Sequence, residues 1–199
     1  DLSFQRVKTS LVPFDLHPSI EPLITRLVHA CGMPDIVPAL TWDEAVIDTA
    51  SAALQRGAPI LCDCEMVAAG ITRRFLPADN QVTVTLNDAC VPALAKTLST
   101  TRSAAAVTLW EPYLDGAIIA IGNAPTALFA VLELIERTRI QPAAILGFPV
   151  GFVGAAESKD ALCEAAACPF ITLTGTRGGS ALASAAVNAL CRIATGDKQ

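Results

Sequence analysis

The chain has 199 residues, enough for one domain with a sizeable buried core. Hydrophobic residues make up 52% and charged ones 17%, with a mean hydropathy of +0.48. Each apolar run is nevertheless short and broken by Gly, Pro or a charge; the longest, Ala117 to Ile121, is strand-sized and cannot cross a bilayer. A net charge of −5 without a basic run argues against nucleic acid and anionic membrane as partners.

Residues 1–20 lack the basic start and apolar stretch of a secretory signal. The chain also opens without Met, so an N-terminal piece is expected to be missing. The first clear element is a helix ending at Cys31. Ser19 is its expected N-cap, with Glu21 and Pro22 in the first turn. Leu23, Leu27 and Cys31 recur at spacing four as the buried stripe, and Gly32 and Pro34 stop the helix. Arg26 and His29 are three apart and share a face. His29 falls in the last turn, where the negative end of the helix dipole favours a cation. An Arg beside a His offers an anion anchor next to an acid–base group. From the pattern alone the simpler reading, an Arg capping the helix end and a His bonded to a backbone carbonyl, is the one favoured.

Strands and helices then alternate. Pro59 to Asp63 reads as a strand, and so does Gln81 to Leu86, where Val82, Val84 and Leu86 alternate. Ala117 to Ile121 leads through Gly122-Asn123-Ala124-Pro125 into a helix near 125–137. Ala143 to Leu146 leads through Gly147-Phe148-Pro149-Val150-Gly151 into a helix near 155–167. Phe170 to Leu173 leads through Gly175-Thr176-Arg177-Gly178-Gly179 into a helix near 180–193. Continuous apolar strands alternating with helices predict a single α/β domain over 1–199, with a mostly parallel sheet and helices on both faces. In such sheets the loops after the strands' carboxyl ends line the ligand crevice. Asp63, Glu65, Asn123, Thr126 and Arg177 fall in or near those loops.

Two of these loops open helices in a setting suited to anions: Gly175 to Ser180, and Gly122 to Thr126. Tight turns that need glycine's range of φ explain the glycines as well, though not Arg177 or Thr126. Phe148, Val150, Phe152 and Val153 offer an apolar wall, or pack the turn. GxGxxG and GxxxxGK[ST] are both missing, so a nucleotide-binding domain is unsupported. The seven cysteines show no paired CxxC and read as free thiols of a reducing cytoplasm. Cys62-Asp63-Cys64 has no further ligands at metal spacing, so no metal is expected.

Together these segments resemble the precorrin-8X methylmutase family. The likeness is carried by Arg26-Leu27-Val28-His29-Ala30-Cys31-Gly32, Gly57 to Val67 (GAPILCDCEMV), Thr101-Arg102-Ser103-Ala104-Ala105, Ala120 to Leu128 (AIGNAPTAL), Pro142 to Leu162 (PAAILGFPVGFVGAAESKDAL) and Gly178-Gly179-Ser180. It implies an isomerase of cobalamin biosynthesis that moves a methyl group from C-11 to C-12 of precorrin-8X, giving hydrogenobyrinic acid without a cofactor. By the same resemblance His29 is the acid, Arg26 and Ser3 of Ser3-Phe4 contact substrate, and Arg102 meets the ring's acid side chains. Asn123, Thr126 and Arg177 are further binding candidates. The resemblance also implies a homodimer with the active site at the interface. Ten Arg against four Lys suits a substrate rich in carboxylates. Two alternatives are the same shift on cobalt-precorrin-8 and a corrinoid carrier without turnover.

Overall fold

A computed structural model describes residues 2–196. Among these, six strands form one sheet. They are β1 (Leu40–Trp42), β2 (Ile60–Cys62), β3 (Val82–Val84), β4 (Ile118–Ile121), β5 (Ala144–Gly147) and β6 (Phe170–Leu173), in the order β1-β6-β5-β4-β2-β3. All pairs are parallel except β1 with β6.

The four strands from β2 to β6 that lie inside the sheet are apolar but for Thr172, whose buried hydroxyl donates to Gly147 O, because both faces are covered. Successive side chains point to opposite faces. Ile60, Cys62, Ile118, Ala120, Ala144, Leu146, Ile171 and Leu173 enter one core. That core is shared with α2 (Glu21–Cys31), α3 (Val46–Gln55), α4 (Glu65–Gly70) and α9 (Ser180–Ala194). Leu61, Ile119, Ile121, Ile145 and Phe170 enter a second core with Trp110, α7 (Pro125–Thr138) and Leu162 of α8 (Ala155–Ala165). The high hydropathy thus reflects a sheet buried on both sides. Each fully buried Ile or Leu contributes about 1.5–3 kcal/mol.

The expected α/β architecture is present; β1, α3, α4 and α6 (Arg102–Val107) were not predicted, and further local differences have a visible cause. Ser19 does not cap α2: its hydroxyl lies 2.7 Å from His17 Nδ1, and Ile20 stands at the N-cap. The His17 carbonyl instead accepts the Ile20 and Glu21 N–H groups and closes the turn. β3 is shorter than Gln81–Leu86, because the Thr85 hydroxyl turns inward to donate to Ala106 O and accept from Trp110 Nε1. Another is the N-terminal helix α1 (Leu2–Leu11), which the sequence reading did not predict and which buries Leu11 and packs Val7 against the core.

Two arrangements position the site. α1 packs on α2, α2 on α9, and α9 on β4 and β5, so α2 forms an outer layer. From β2 the chain runs to β3 at one edge and then returns to β4 on the other side of β2. That reversal makes the carboxyl ends of β2 and β4 the crevice of the sheet. Among the described residues no helix is long and apolar enough to cross a membrane.

Candidate active site

α2 ends at Gly32, whose φ of 69° lets its N–H bond back to Val28 O, and this leaves His29 exposed in the final turn. α1 crosses here and presents two consecutive residues. Ser3 Oγ lies 3.2 Å from His29 Nδ1. The Phe4 ring stacks on the imidazole, with centroids 4.4 Å apart and planes 21° apart. The Arg26 guanidinium carbon stands 5.1 Å from the Phe4 centroid, at cation–π distance. The structure therefore brings Ser3, Arg26 and His29 together. It adds Phe4, which the sequence reading had quoted only as the neighbour of Ser3. Phe4 lies 22 positions before Arg26, so no spacing in the sequence announced the contact. Stacking and hydroxyl contact fix the imidazole's plane and engage one nitrogen, leaving Nε2 for a substrate.

The Gly122 to Thr126 loop behaves differently from the expectation. Its donors do not await an outside anion, because Asp63 occupies them. Gly122 N–H donates to Asp63 Oδ1 at 2.9 Å, and the N–H groups of Asn123 and Ala124 both donate to Oδ2 at 2.8 Å. Asp63 is only 4% exposed. Burial raises its carboxyl above the ordinary range, against the pull of those N–H groups and the Cys64 side chain. Gly122 is required here, since a Cβ would fall 2.6 Å from Ser180 Cα.

The other candidates gather around this crevice. Thr101 donates its hydroxyl to Thr126 Oγ1 at 2.8 Å and accepts the Ala104 N–H, capping α6 (Arg102–Val107). Arg102 opens α6 and is exposed, donating to Leu86 O and to Asn87 Oδ1 at 3.2 Å. Asn87 in turn donates to Glu65 Oε1 at 3.4 Å. Asn123 keeps its side chain exposed while its backbone is held by Asp63.

Arg177 pairs with Asp35 at 2.6 Å, which ties the β6 loop to the turn after α2. The Gly175 to Ser180 glycines are explained by close approach: Gly179 N–H donates to Phe148 O, and a Cβ on Gly178 would meet the carbonyl oxygens of Phe148 and Pro149. In the facing loop Phe148 is fully buried and packs the turn, whereas Phe152 and Val153 are 96% and 88% exposed. Met66 and Val150 add apolar surface beside the same strand ends.

All seven cysteines are free. Burial pushes the Cys168 and Cys191 thiols up to about 12 and raises Cys62 further, so these are packing groups and not nucleophiles. Among the described residues no group of three His, Cys, Asp or Glu side chains is placed to hold a metal.

An imidazole held between a hydroxyl and an aromatic ring, on an α/β domain whose strand ends carry apolar and arginine-bearing loops, has the features of an enzyme site. Comparison with known proteins is specific: a model of the precorrin-8X methylmutase family matches residues 1–193, and the chain belongs to that family. It is 53% identical over 180 residues to a precorrin-8X methylmutase of Pseudomonas aeruginosa, covering 90% of this chain and 85% of that one. A Sinorhizobium precorrin-8X methylmutase is 54% identical over 171 residues, covering 85% of this chain and 81% of that one. A cobalt-precorrin-8 methylmutase of Priestia megaterium is 33% identical over 193 residues, covering 96% and 85%. The crystal structure of a Thermus thermophilus precorrin-8X methylmutase superposes with a TM-score of 0.88 at 36% identity, over 98% of this chain and 96% of that one. The chain is accordingly an isomerase of cobalamin biosynthesis.

Proposed function

We propose that this isomerase acts on precorrin-8X, moving the methyl group from C-11 to C-12 to give hydrogenobyrinic acid, with His29 as the acid. The C-11–methyl bond breaks and the C-12–methyl bond forms, so substrate and product have the same composition. The observation that carries this reading is the Ser3–His29 contact with Phe4 stacked on the ring. When Nδ1–H donates to Ser3 Oγ, the proton on Nε2 is the transferable one. Given to a ring nitrogen near the migrating methyl, it makes the conjugated system electron-poor and lowers the barrier. General acid catalysis of this kind is worth about 100- to 10,000-fold.

Arg26, Arg102 and Arg177 supply guanidinium groups for the ring's carboxylates, and Asn123 and Thr126 supply polar contacts at the strand ends. Phe152 and Val153 offer an apolar wall to the macrocycle. Ser3 orients His29 and also lies where it can touch the substrate. The metal-free substrate is favoured over the cobalt form because identity is 53–54% to the precorrin-8X enzymes and 33% to the Priestia cobalt-precorrin-8 enzyme. Turnover of both precursors by the purified protein decides between them. His29→Ala is expected to lose turnover while still binding product; near-wild-type turnover removes His29 from the role. A carrier would shift the precursor's absorption stoichiometrically without converting it.

We also infer a cytoplasmic homodimer whose interface borders this site. Its support is the large apolar side chains of Met66, Phe152 and Val153, which stand 72%, 96% and 88% exposed in the single chain. Light scattering on the purified chain tests it, and a monomer at micromolar concentration overturns it.

A further inference from the structure

Lys159 on α8 is fully buried, whereas Lys8 and Lys96 are exposed. Removing an ammonium from water is costly unless its protons are accepted. Lys159 Nζ donates to Pro149 O at 3.1 Å and to Arg177 O at 2.7 Å. Those carbonyls belong to different loops, one after β5 and one after β6. The neighbouring carboxylate, Asp160, is exposed and does not bury with it. The lysine therefore serves two backbone oxygens and no counter-ion that shares its burial.

Other contacts close the same seam. Gly151 N–H donates to Thr176 O at 3.1 Å, and Gly179 N–H to Phe148 O at 2.8 Å. Gly178 approaches so closely that a Cβ would lie 2.4 Å from the carbonyl oxygens of both Phe148 and Pro149. Below, these contacts fasten the seam; above it Phe152 and Val153 stand in solvent and Arg177 pairs with Asp35 at the surface. A turn fastened only for stability would fold its apolar side chains inward, as Phe148 does.

We propose that Lys159 is a positioning residue of this isomerase: it sets the spacing of the β5 and β6 loops and so fixes Phe152, Val153 and Arg177 in the relation that grips the macrocycle. The inference rests on the reading that these loops bind the ring. An apolar side chain would leave two carbonyls without their donor and let the loops separate. The ligand would then have to order them on binding. His29 sits on α2, outside the seam, so the chemical step itself should be little touched.

The test is Lys159→Met, with hydrogenobyrinic acid bound by absorption titration and precorrin-8X turned over at steady state. The dissociation constant and KM are expected to rise about tenfold or more while kcat stays within about threefold. Gly178→Ala, which pushes the same loops apart and leaves the lysine in place, is expected to give the same split, and it carries the test if Lys159→Met does not fold. Unchanged product affinity in a folded variant overturns the inference, as does a fall in kcat with KM unmoved or a drop in melting temperature alone. If the wild-type protein neither binds nor converts the ring, the proposed function fails instead, a result visible before any variant is made.

Discussion

Replacing Asp63 by Asn should loosen the crevice of the sheet by a calculable amount. The carboxylate accepts three backbone N–H groups, two on Oδ2 and one on Oδ1. An amide can keep its oxygen where Oδ2 stood, but its NH2 then faces the Gly122 N–H. One buried donor loses its acceptor, at about 1–3 kcal/mol, and the other two bonds lose their charge assistance, at about 1 kcal/mol each. Against this, Asp63 is desolvated, and burial already opposes its ionised form, so neutralising it recovers part of the cost. The net expectation is destabilisation of about 2–4 kcal/mol, or roughly 5–15 °C in melting temperature for a domain of this size. Urea unfolding followed by circular dichroism measures it. An Asp63→Asn protein within about 1 kcal/mol of wild type would refute the claim that this carboxylate anchors the β4 loop.

Gly122→Ala drives a Cβ into Ser180 Cα and Val67 Cγ2, each 2.6 Å away, and should cost about 1–3 kcal/mol by the same unfolding assay. Phe4→Leu removes the ring stacked on His29 and beneath Arg26, contacts worth about 0.5–1.5 kcal/mol, so kcat should fall about three- to tenfold while Phe4→Tyr stays near wild type. Burial lowers the Lys159 ammonium from 10.5 to about 8, so the unfolded chain holds the extra proton between those values. Unfolding free energy should therefore rise with pH across that window, by on the order of 3 kcal/mol at most, in wild type relative to Lys159→Met. Buried thiols act in the opposite sense above their ordinary pKa of 9.0, but they are common to both proteins and cancel in the difference. Parallel slopes in the two proteins would show that no such ammonium is buried.

What could be read from the sequence depended on how each segment is stabilised. β2, β4, β5 and β6 announce themselves because both faces of the sheet demand apolar residues, so their runs are unbroken. β1 has only three residues and is half-buried at Thr41 and Trp42, leaving too little pattern to see. α1 packs on α2 through a short stripe of Phe4, Val7 and Leu11, too brief among polar residues to stand out. Ser19 has the chemistry of a cap, but a neighbouring imidazole took its hydroxyl. His29, Arg26 and Ser3 came from the motif, and nothing in spacing alone tells that residues 26 positions apart meet. The Gly122 to Thr126 loop was read as a helix start suited to an outside anion, but its donors are taken from within the chain. Its anion, Asp63, lay 59 positions upstream of Gly122 and became identifiable only through the parallel register of β2 with β4.

That internal anion bears on why the acid stands where it does. In an open α/β sheet the strand reversal between β2 and β4 is the natural place for ligand chemistry, because backbone donors there converge on one point. Here Asp63 already holds those donors, so the reversal is spent on rigidity. The proposed acid, His29, accordingly stands outside the sheet, on α2, which packs on α9 and whose following turn bonds Arg177 of the β6 loop through Asp35. The Asp35–Arg177 pair is thus a link between the helix that carries His29, the proposed acid, and the loop that carries Arg177, a proposed carboxylate contact. Exposed ion pairs contribute about 0–1 kcal/mol to stability, so Asp35→Ala should barely change melting. Freed from Asp35, Arg177 should alter KM more than kcat, and a large loss of stability with unchanged KM would show the pair to be structural.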